Sequence, residues 1–244
     1  MKIAFFPGCM VDMFYPEVGM AAVKLLERLG CEVELPEEQT CCGQMFLNSG
    51  YKEDTKVFAR QIVDAYEGYD TIVSLSGSCM YAMMHDYVDV LADDPMYRDR
   101  HAKMANNFYE FTDFIVNKLG VTNVNAHFNG KVTYHKSCHL TRMLGVEEAP
   151  LQLLKNVDGL ELVEMKHPER CCGFGGTFSI KEPEISAEIV DEKCQYIIES
   201  GADAVCGADI ACLMNIKGRM ERLKEEGKAP SHIQVLHIAE ILNS

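Results

Sequence analysis

Cys41-Cys42-Gly43 and Cys171-Cys172-Gly173 are one tripeptide occurring twice in the chain, and their surroundings decide the fold. The side chains of adjacent cysteines diverge, so such a pair seldom closes a disulfide on itself. It can instead reach two atoms of one inorganic centre. The glycine that follows has no Cβ and tolerates a left-handed turn, so the backbone can approach a bulky ligand. Each pair has a cysteine well before it and another well after it: Cys9 and Cys79 in one case, Cys138 and Cys212 in the other. Cys9 to Cys138, Cys41 to Cys171 and Cys79 to Cys212 are offsets of 129, 130 and 133 residues. Three anchors in one order at nearly one spacing predict a duplicated unit, with halves 1–124 and 125–244.

Outward from these anchors, short apolar runs alternate with helical patterns. Residues 2–6 read as a buried strand that stops at Pro7-Gly8-Cys9. Residues 17–29 carry apolar side chains at helical spacing and end at Gly30. Residues 31–35 alternate like a second strand, and a polar loop then delivers the first Cys-Cys-Gly. A helix over roughly 51–66, a strand over 70–75 and further helical patterns through Leu91 follow. Residues 103–119 read as one helix closed by Gly120, and 122–130 as a polar linker. The order then repeats: strands over 131–134 and 160–165, a helix over 183–199 opened by Pro183, and a strand over 202–206 leading to Asp209 and Cys212. Strands alternating with helices predict an α/β fold of two pseudo-symmetric Rossmann-like halves with mainly parallel sheets. Ligands of such sheets bind beyond the carboxyl ends of the strands, where the cysteines fall.

Composition narrows the class. The 244 residues are 48% hydrophobic and 25% charged, as in ordinary globular proteins. The opening MKIAFFPGCM has too short an apolar run for a signal peptide or a membrane span, and no later window reaches a transmembrane length. The expected compartment is the cytoplasm. A formal charge of −14 argues against nucleic acid or an anionic membrane surface as partner. Eleven cysteines, an odd number, in a chain expected to stay among reducing thiols point to metal binding or catalysis rather than disulfides.

In each half 31 or 32 residues separate the first cysteine from the pair, and 36 or 39 separate the pair from the last. This frame resembles the cysteine-rich CCG domain found in heterodisulfide reductase and its relatives. Longer stretches sharpen the likeness: Cys9-Met-Val-Asp-Met-Phe14, Cys41-Cys-Gly-Gln44, Ser76-Gly-Ser-Cys79, Ser137-Cys-His-Leu-Thr-Arg142, Cys171-Cys-Gly-Phe-Gly-Gly-Thr-Phe178 and Cys212-Leu-Met-Asn-Ile216. With the length, they resemble the lactate utilisation protein A family end to end. The resemblance implies an iron–sulfur electron-transfer subunit in the oxidation of L-lactate to pyruvate. It further implies two partners, a ferredoxin-type iron–sulfur protein and a third lactate-utilisation subunit. Carried over residue by residue, it implies one cluster site at Cys9, Cys41, Cys42 and Cys79 and another at Cys138, Cys171, Cys172 and Cys212. The cluster would be a 4Fe–4S centre, noncubane in the heterodisulfide reductase relative. The chain departs from the fuller motif, which ends in C-x-x-C. Asp209 takes the first of those places in the second half and is a candidate oxygen ligand, while Ser76 or Ala82 fills the gap in the first. Four thiolates per half suffice for an iron–sulfur cluster or, as the alternative in one half, for zinc.

The remaining chemistry-bearing residues divide differently. His139 and Arg142, just after Cys138, are the candidate substrate-orienting pair, with a hydrogen-bonding role beside the ligand loop as the plainer reading. His135 reads as an ordinary strand residue. Cys31, Cys194 and Cys206 fall outside the frame and read as core, and the fourteen methionines as core filler. Phe174-Gly-Gly-Thr177 lacks the frame of a phosphate loop. Two further classes stay open: a thiol–disulfide enzyme cycling its vicinal cysteines, and a zinc-stapled scaffold that docks partners.

Overall fold

The computed structural model describes all 244 residues, which form two compact units, Met1–Phe114 and Ile115–Ser244. In the first, strands β1 (Lys2–Phe6), β2 (Glu32–Glu34), β3 (Ile72–Ser74) and β4 (Phe108–Glu110) form a parallel sheet in the order β2-β1-β3-β4. In the second, β5 (His127–Tyr134), β6 (Asp158–Leu162), β7 (Ala204–Gly207) and β8 (Gln234–His237) repeat that order as β6-β5-β7-β8, again all parallel. This is the α/β fold of two similar halves that the alternating pattern predicts.

The central strands are apolar because helices cover both faces of a parallel sheet. Ile3, Ala4, Phe5 and Phe6 of β1 and all four residues of β7 are buried. The helix Pro16–Arg28 follows β1 with proline in its first turn, buries Val18, Ala21, Ala22, Leu25 and Leu26, and stops before Gly30, whose φ of 86° ends it. Truncating the fully buried Leu25 to alanine would cost about 2–5 kcal/mol. Its counterpart in the second half, Pro183–Glu199, turns Val190, Cys194 and Ile197 inward. No helix is long and apolar enough to cross a membrane.

Two expectations are corrected. Residues 103–119 are not one helix: the helix Pro95–Met104 ends, β4 pairs with β3 in the register Ile72↔Phe108, and a short helix and a π-helix, Phe114–Lys118, follow. Phe108, Phe111, Phe114 and Ile115 are all buried, and their spacing of three and four imitates a helical stripe. The open edge of β3 decides the matter by pairing with Phe108–Glu110. Likewise, residues 122–130 are not wholly linker, because β5 begins at His127, four residues before the expected strand start at Lys131, and is irregular between His127 and Gly130. The fourth strand of the second half, β8, is likewise absent from the sequence reading.

The order 2-1-3-4 makes the chain reverse direction across the sheet between its first and third strands. In open parallel sheets such a reversal is where ligands bind, outside the carboxyl ends of the strands. The loops after β1 and β3, and after β5 and β7, meet at these two places.

Candidate metal centres

In the first half, Gly8 turns the chain out of β1 with φ 82°, and Cys9 opens the helix Cys9–Phe14. A Cβ at Gly8 would stand 3.7 Å from Cys79 Sγ, so the loops after β1 and β3 face each other. Cys79 lies in the helix Gly77–Tyr81, capped by Ser76, whose hydroxyl accepts from the Cys79 N–H at 3.3 Å. The third loop brings Cys41 and Cys42. Cys9 Sγ and Cys41 Sγ are 3.6 Å apart, and the Cys42 thiol hydrogen-bonds with both Cys41 and Cys79. Gly43 is left-handed, and its N–H donates to Cys41 Sγ at 3.4 Å. The buried Tyr87 hydroxyl donates to the Cys42 carbonyl at 2.7 Å and fixes the pair from behind. Bonds from the Cys42 and Cys9 thiols hold Cys41 well below the usual thiol range; the same bond and burial push Cys9 up. Four thiols thus converge.

The second half repeats the plan with other supports. Cys138 follows β5 and leads into the π-helix His139–Met143, and Cys212 lies in the helix Ile210–Glu225 after β7. Gly173 donates its N–H to Cys171 Sγ at 3.3 Å, as Gly43 does to Cys41. Cys172 hydrogen-bonds with Cys171 and Cys212. Its carbonyl accepts from Asn215 Nδ2 at 2.8 Å, the task Tyr87 performs in the first half. Burial first, then the nearby Cys171 and Asp209, push the Cys138 thiol up. Asp209 is buried and caps its helix, Oδ1 accepting from the Ala211 N–H at 3.2 Å. Ser76 holds the same capping place after β3, so Ser76, rather than Ala82 in the following π-helix, corresponds to Asp209.

His139 and Arg142 stand on the rim. His139 Nδ1 is 3.5 Å from Cys138 Sγ, and the exposed Arg142 donates to the Glu169 carbonyl at 3.0 Å, just ahead of Cys171. Cys31, Cys194 and Cys206 are buried, Cys194 and its neighbours forming part of the second core, and all eleven cysteines are free.

Four residues beside the thiols escape the sequence reading. Tyr87 and Asn215 hold the carbonyls. Lys193, fully buried, donates from Nζ to the carbonyls of His167 at 3.0 Å and Pro168 at 3.2 Å, clamping the chain that leads into Cys171; burial lowers its pKa to about 8. The fourth is His135, read from the sequence as an ordinary strand residue, which follows directly on the end of β5. Its ring is 1% exposed, and its ligand nitrogen and the Cys172 and Cys212 sulfurs all lie within 4.8 Å of one another. Burial, then the charge of Lys193, lower its pKa to about 3 and keep it neutral. The available signal was positional: His135 precedes Cys138 by three residues, as Phe6 precedes Cys9.

The donor sets suit a thiophilic centre. Each half presents four clustered thiols, backbone N–H groups aimed at sulfur, and a left-handed glycine where a side chain would intrude. A Cβ on Gly173 would fall 2.7 Å from the Ser186 carbonyl oxygen. Such sets hold iron–sulfur clusters or zinc.

Comparison with known proteins agrees with this architecture. The cysteine-rich domain CCG matches twice, over residues 3–84 and 132–217. Lactate utilization protein A of Halalkalibacterium halodurans is 49% identical over 243 residues, covering 100% of this chain and 97% of that protein. The protein of the same name from Bacillus cereus strain G9842 is 51% identical over 244 residues, covering 100% and 99%. Among solved structures, a hypothetical protein from Helicobacter pylori superposes with a TM-score of 0.66 at 10% identity. The match covers 99% of this chain and 48% of that one, and speaks for the fold alone. With both halves matched and half of all residues identical along the full length, the chain belongs to the lactate utilization protein A family of twofold cysteine-rich CCG domain proteins.

Proposed function

We propose that this protein is the iron–sulfur electron-transfer subunit of a cytoplasmic system that oxidises L-lactate to pyruvate. One centre would sit in each CCG half, 1–124 and 125–244. The observation that carries the reading is the pair of thiol quartets, Cys9, Cys41, Cys42 and Cys79, and Cys138, Cys171, Cys172 and Cys212. Each lies at the reversal point of its own parallel sheet. The names of the relatives supply lactate as the pathway.

A cluster held there would carry electrons one at a time, and oxidising a hydroxy acid to a keto acid releases two. The chain's own residues hold and shield. The cysteines supply thiolates, and the Gly43 and Gly173 N–H groups stabilise the charge on Cys41 and Cys171. Tyr87 and Asn215 keep each vicinal pair from rotating away by fixing its second carbonyl. A ferredoxin-type iron–sulfur protein and a third lactate-utilisation subunit are the partners that the family resemblance implies.

Iron and acid-labile sulfide per chain, measured after anaerobic purification, test the reading. Several irons with matching sulfide support it; zinc without sulfide in both halves defeats it. Zinc confined to one half is the second reading, and the grouping of His135 with Cys172 and Cys212 favours the second half for it.

A further inference from the structure

We propose that His135 is a metal ligand, so that the second centre is a mixed imidazole–thiolate site and the first an all-thiolate one. This rests on the reading that the second half binds metal. It goes beyond the cysteine frame, which contains no histidine.

Three observations carry it. The His135 ring is buried beside the Pro168 carbonyl, yet neither Nδ1 nor Nε2 forms a hydrogen bond of good geometry. Burying a polar group without a good hydrogen bond is costly, and a bond to metal removes that cost. The ring also lies within 4.8 Å of both the Cys172 and the Cys212 sulfur, which themselves come from different loops. A metal atom among the three would be within reach of each with only side-chain adjustment. Finally, its main chain is anchored: the His135 N–H donates to the Cys206 carbonyl at 2.7 Å, extending the β5–β7 pairing one residue beyond Tyr134. The imidazole is therefore presented from rigid backbone at the carboxyl end of β5.

The first half supplies an internal control. The residue three before Cys9 is Phe6, equally buried, packed edge-on against Tyr66 with ring centroids 5.9 Å apart. Phenylalanine offers no donor atom. A position common to both halves therefore carries a ligand atom in only one of them. The second half has four framework thiolates, and Asp209 already caps a helix through Oδ1. An imidazole is a neutral ligand, so it leaves the centre less negative than another thiolate would, which raises the potential of an iron–sulfur site. For zinc, a histidine joining cysteines is equally ordinary chemistry.

The test uses the full chain, purified anaerobically, with Cys41→Ser and Cys42→Ser together so that only the second centre remains. If iron is bound, pulsed electron paramagnetic resonance of the reduced protein reads nitrogen coupling. If zinc is bound, absorption at the zinc edge counts nitrogen scatterers. One imidazole nitrogen is expected. It persists in His139→Ala, which removes the ring beside Cys138, and disappears in His135→Phe, which copies Phe6, and in His135→Cys. His135→Cys retains the metal and, for iron, lowers the midpoint potential, which a purely structural ring would not do. A metal centre without imidazole nitrogen, or with nitrogen that survives His135→Phe, overturns the proposal while leaving the metal-binding reading standing. Protein that carries neither iron nor zinc sinks both.

Discussion

Three residues before its leading cysteine the first half places Phe6, which packs on Tyr66, and Tyr87 holds the Cys42 carbonyl; the second half places His135 there, with Lys193 and Asp209 nearby. What the halves share is everything that positions sulfur. Both have the strand order 2-1-3-4, a left-handed glycine donating its N–H to the first thiol of the pair, and a side chain holding the second carbonyl. Both cap the helix that carries the last cysteine. What differs is charge and polarity around the sulfurs: neutral aromatic rings in one half, imidazole, ammonium and carboxylate in the other. Geometry is held in common, and tuning diverges. Two thiol quartets of one layout in different surroundings are what this division yields.

The strongest way to break the comparison is to remove one pair at a time. Cys41→Ser with Cys42→Ser is expected to abolish the metal of the first half and leave the second half's content intact, and Cys171→Ser with Cys172→Ser the reverse. Elemental analysis of each purified variant checks this. Loss of all metal from either variant would show that the halves do not load independently.

A second contrast lies at the fourth strands. Glu110 ends β4 and caps the next helix, its Oε2 accepting from the N–H groups of Thr112 and Asp113; His237 ends β8 and caps the next helix through Nδ1, with Glu240 reciprocating. Burial raises the Glu110 pKa from 4.5 to about 7, outweighing those bonds. A carboxyl whose folded value exceeds its unfolded one binds more protons folded than unfolded. Its stabilising contribution is therefore full below about pH 4.5 and is lost as pH rises through about 7. The span corresponds to about 3 kcal/mol at most, taking 1.36 kcal/mol per pH unit. Glu110→Gln should flatten the pH dependence of urea unfolding across that window. An unchanged slope would mean that Glu110 ionises normally.

How much of this could be read from sequence depends on whether the determining contact is local. Lys2–Phe6 and Pro183–Glu199 were legible because an unbroken apolar run and an amphipathic stripe opened by proline specify them without help. The four-thiol grouping was legible because the repeat displays it. The strand Phe108–Glu110 was not: its phenylalanines keep a helical spacing, and only the waiting edge of β3 makes them extended. Neither was His135, since its burial and its approach to Cys172 exist only once a distant loop has folded back over β5. Tyr87 and Asn215 were hidden for another reason. They do one job from different places, eight residues after Cys79 and three after Cys212, so no alignment of the halves pairs them.

The glycines of the two pairs sharpen the comparison further. Both are left-handed, at φ 76° in Gly43 and 80° in Gly173, so alanine costs roughly 1–2 kcal/mol at either from backbone strain alone. Space separates them. A Cβ at Gly43 would meet the Phe58 Cβ at 3.1 Å, a contact that a displacement of a few tenths of an ångström relieves, whereas at Gly173 it would meet a main-chain oxygen, that of Ser186, at 2.7 Å. Gly173→Ala should therefore lower the denaturation midpoint more than Gly43→Ala. Equal shifts would show that the Ser186 turn yields.

The smallest expected difference concerns the two carbonyl holders. Tyr87→Phe removes only a hydroxyl, but that hydroxyl is fully buried, and water cannot take its place on the Cys42 carbonyl. Leaving such an acceptor unpaired costs about 1–3 kcal/mol. Asn215→Ala removes the equivalent bond from the Cys172 carbonyl, yet Asn215 is half-buried and solvent can re-enter. Its loss should cost nearer 0.5–1.5 kcal/mol, the net worth of an ordinary hydrogen bond. Equilibrium denaturation of the two variants reads the difference, and a larger effect at Asn215 would reverse the ranking. The consequence for function runs in the same order: the first vicinal pair is held from dry protein and the second from its margin. Metal should therefore exchange from Cys171 and Cys172 faster than from Cys41 and Cys42 when a chelator is added.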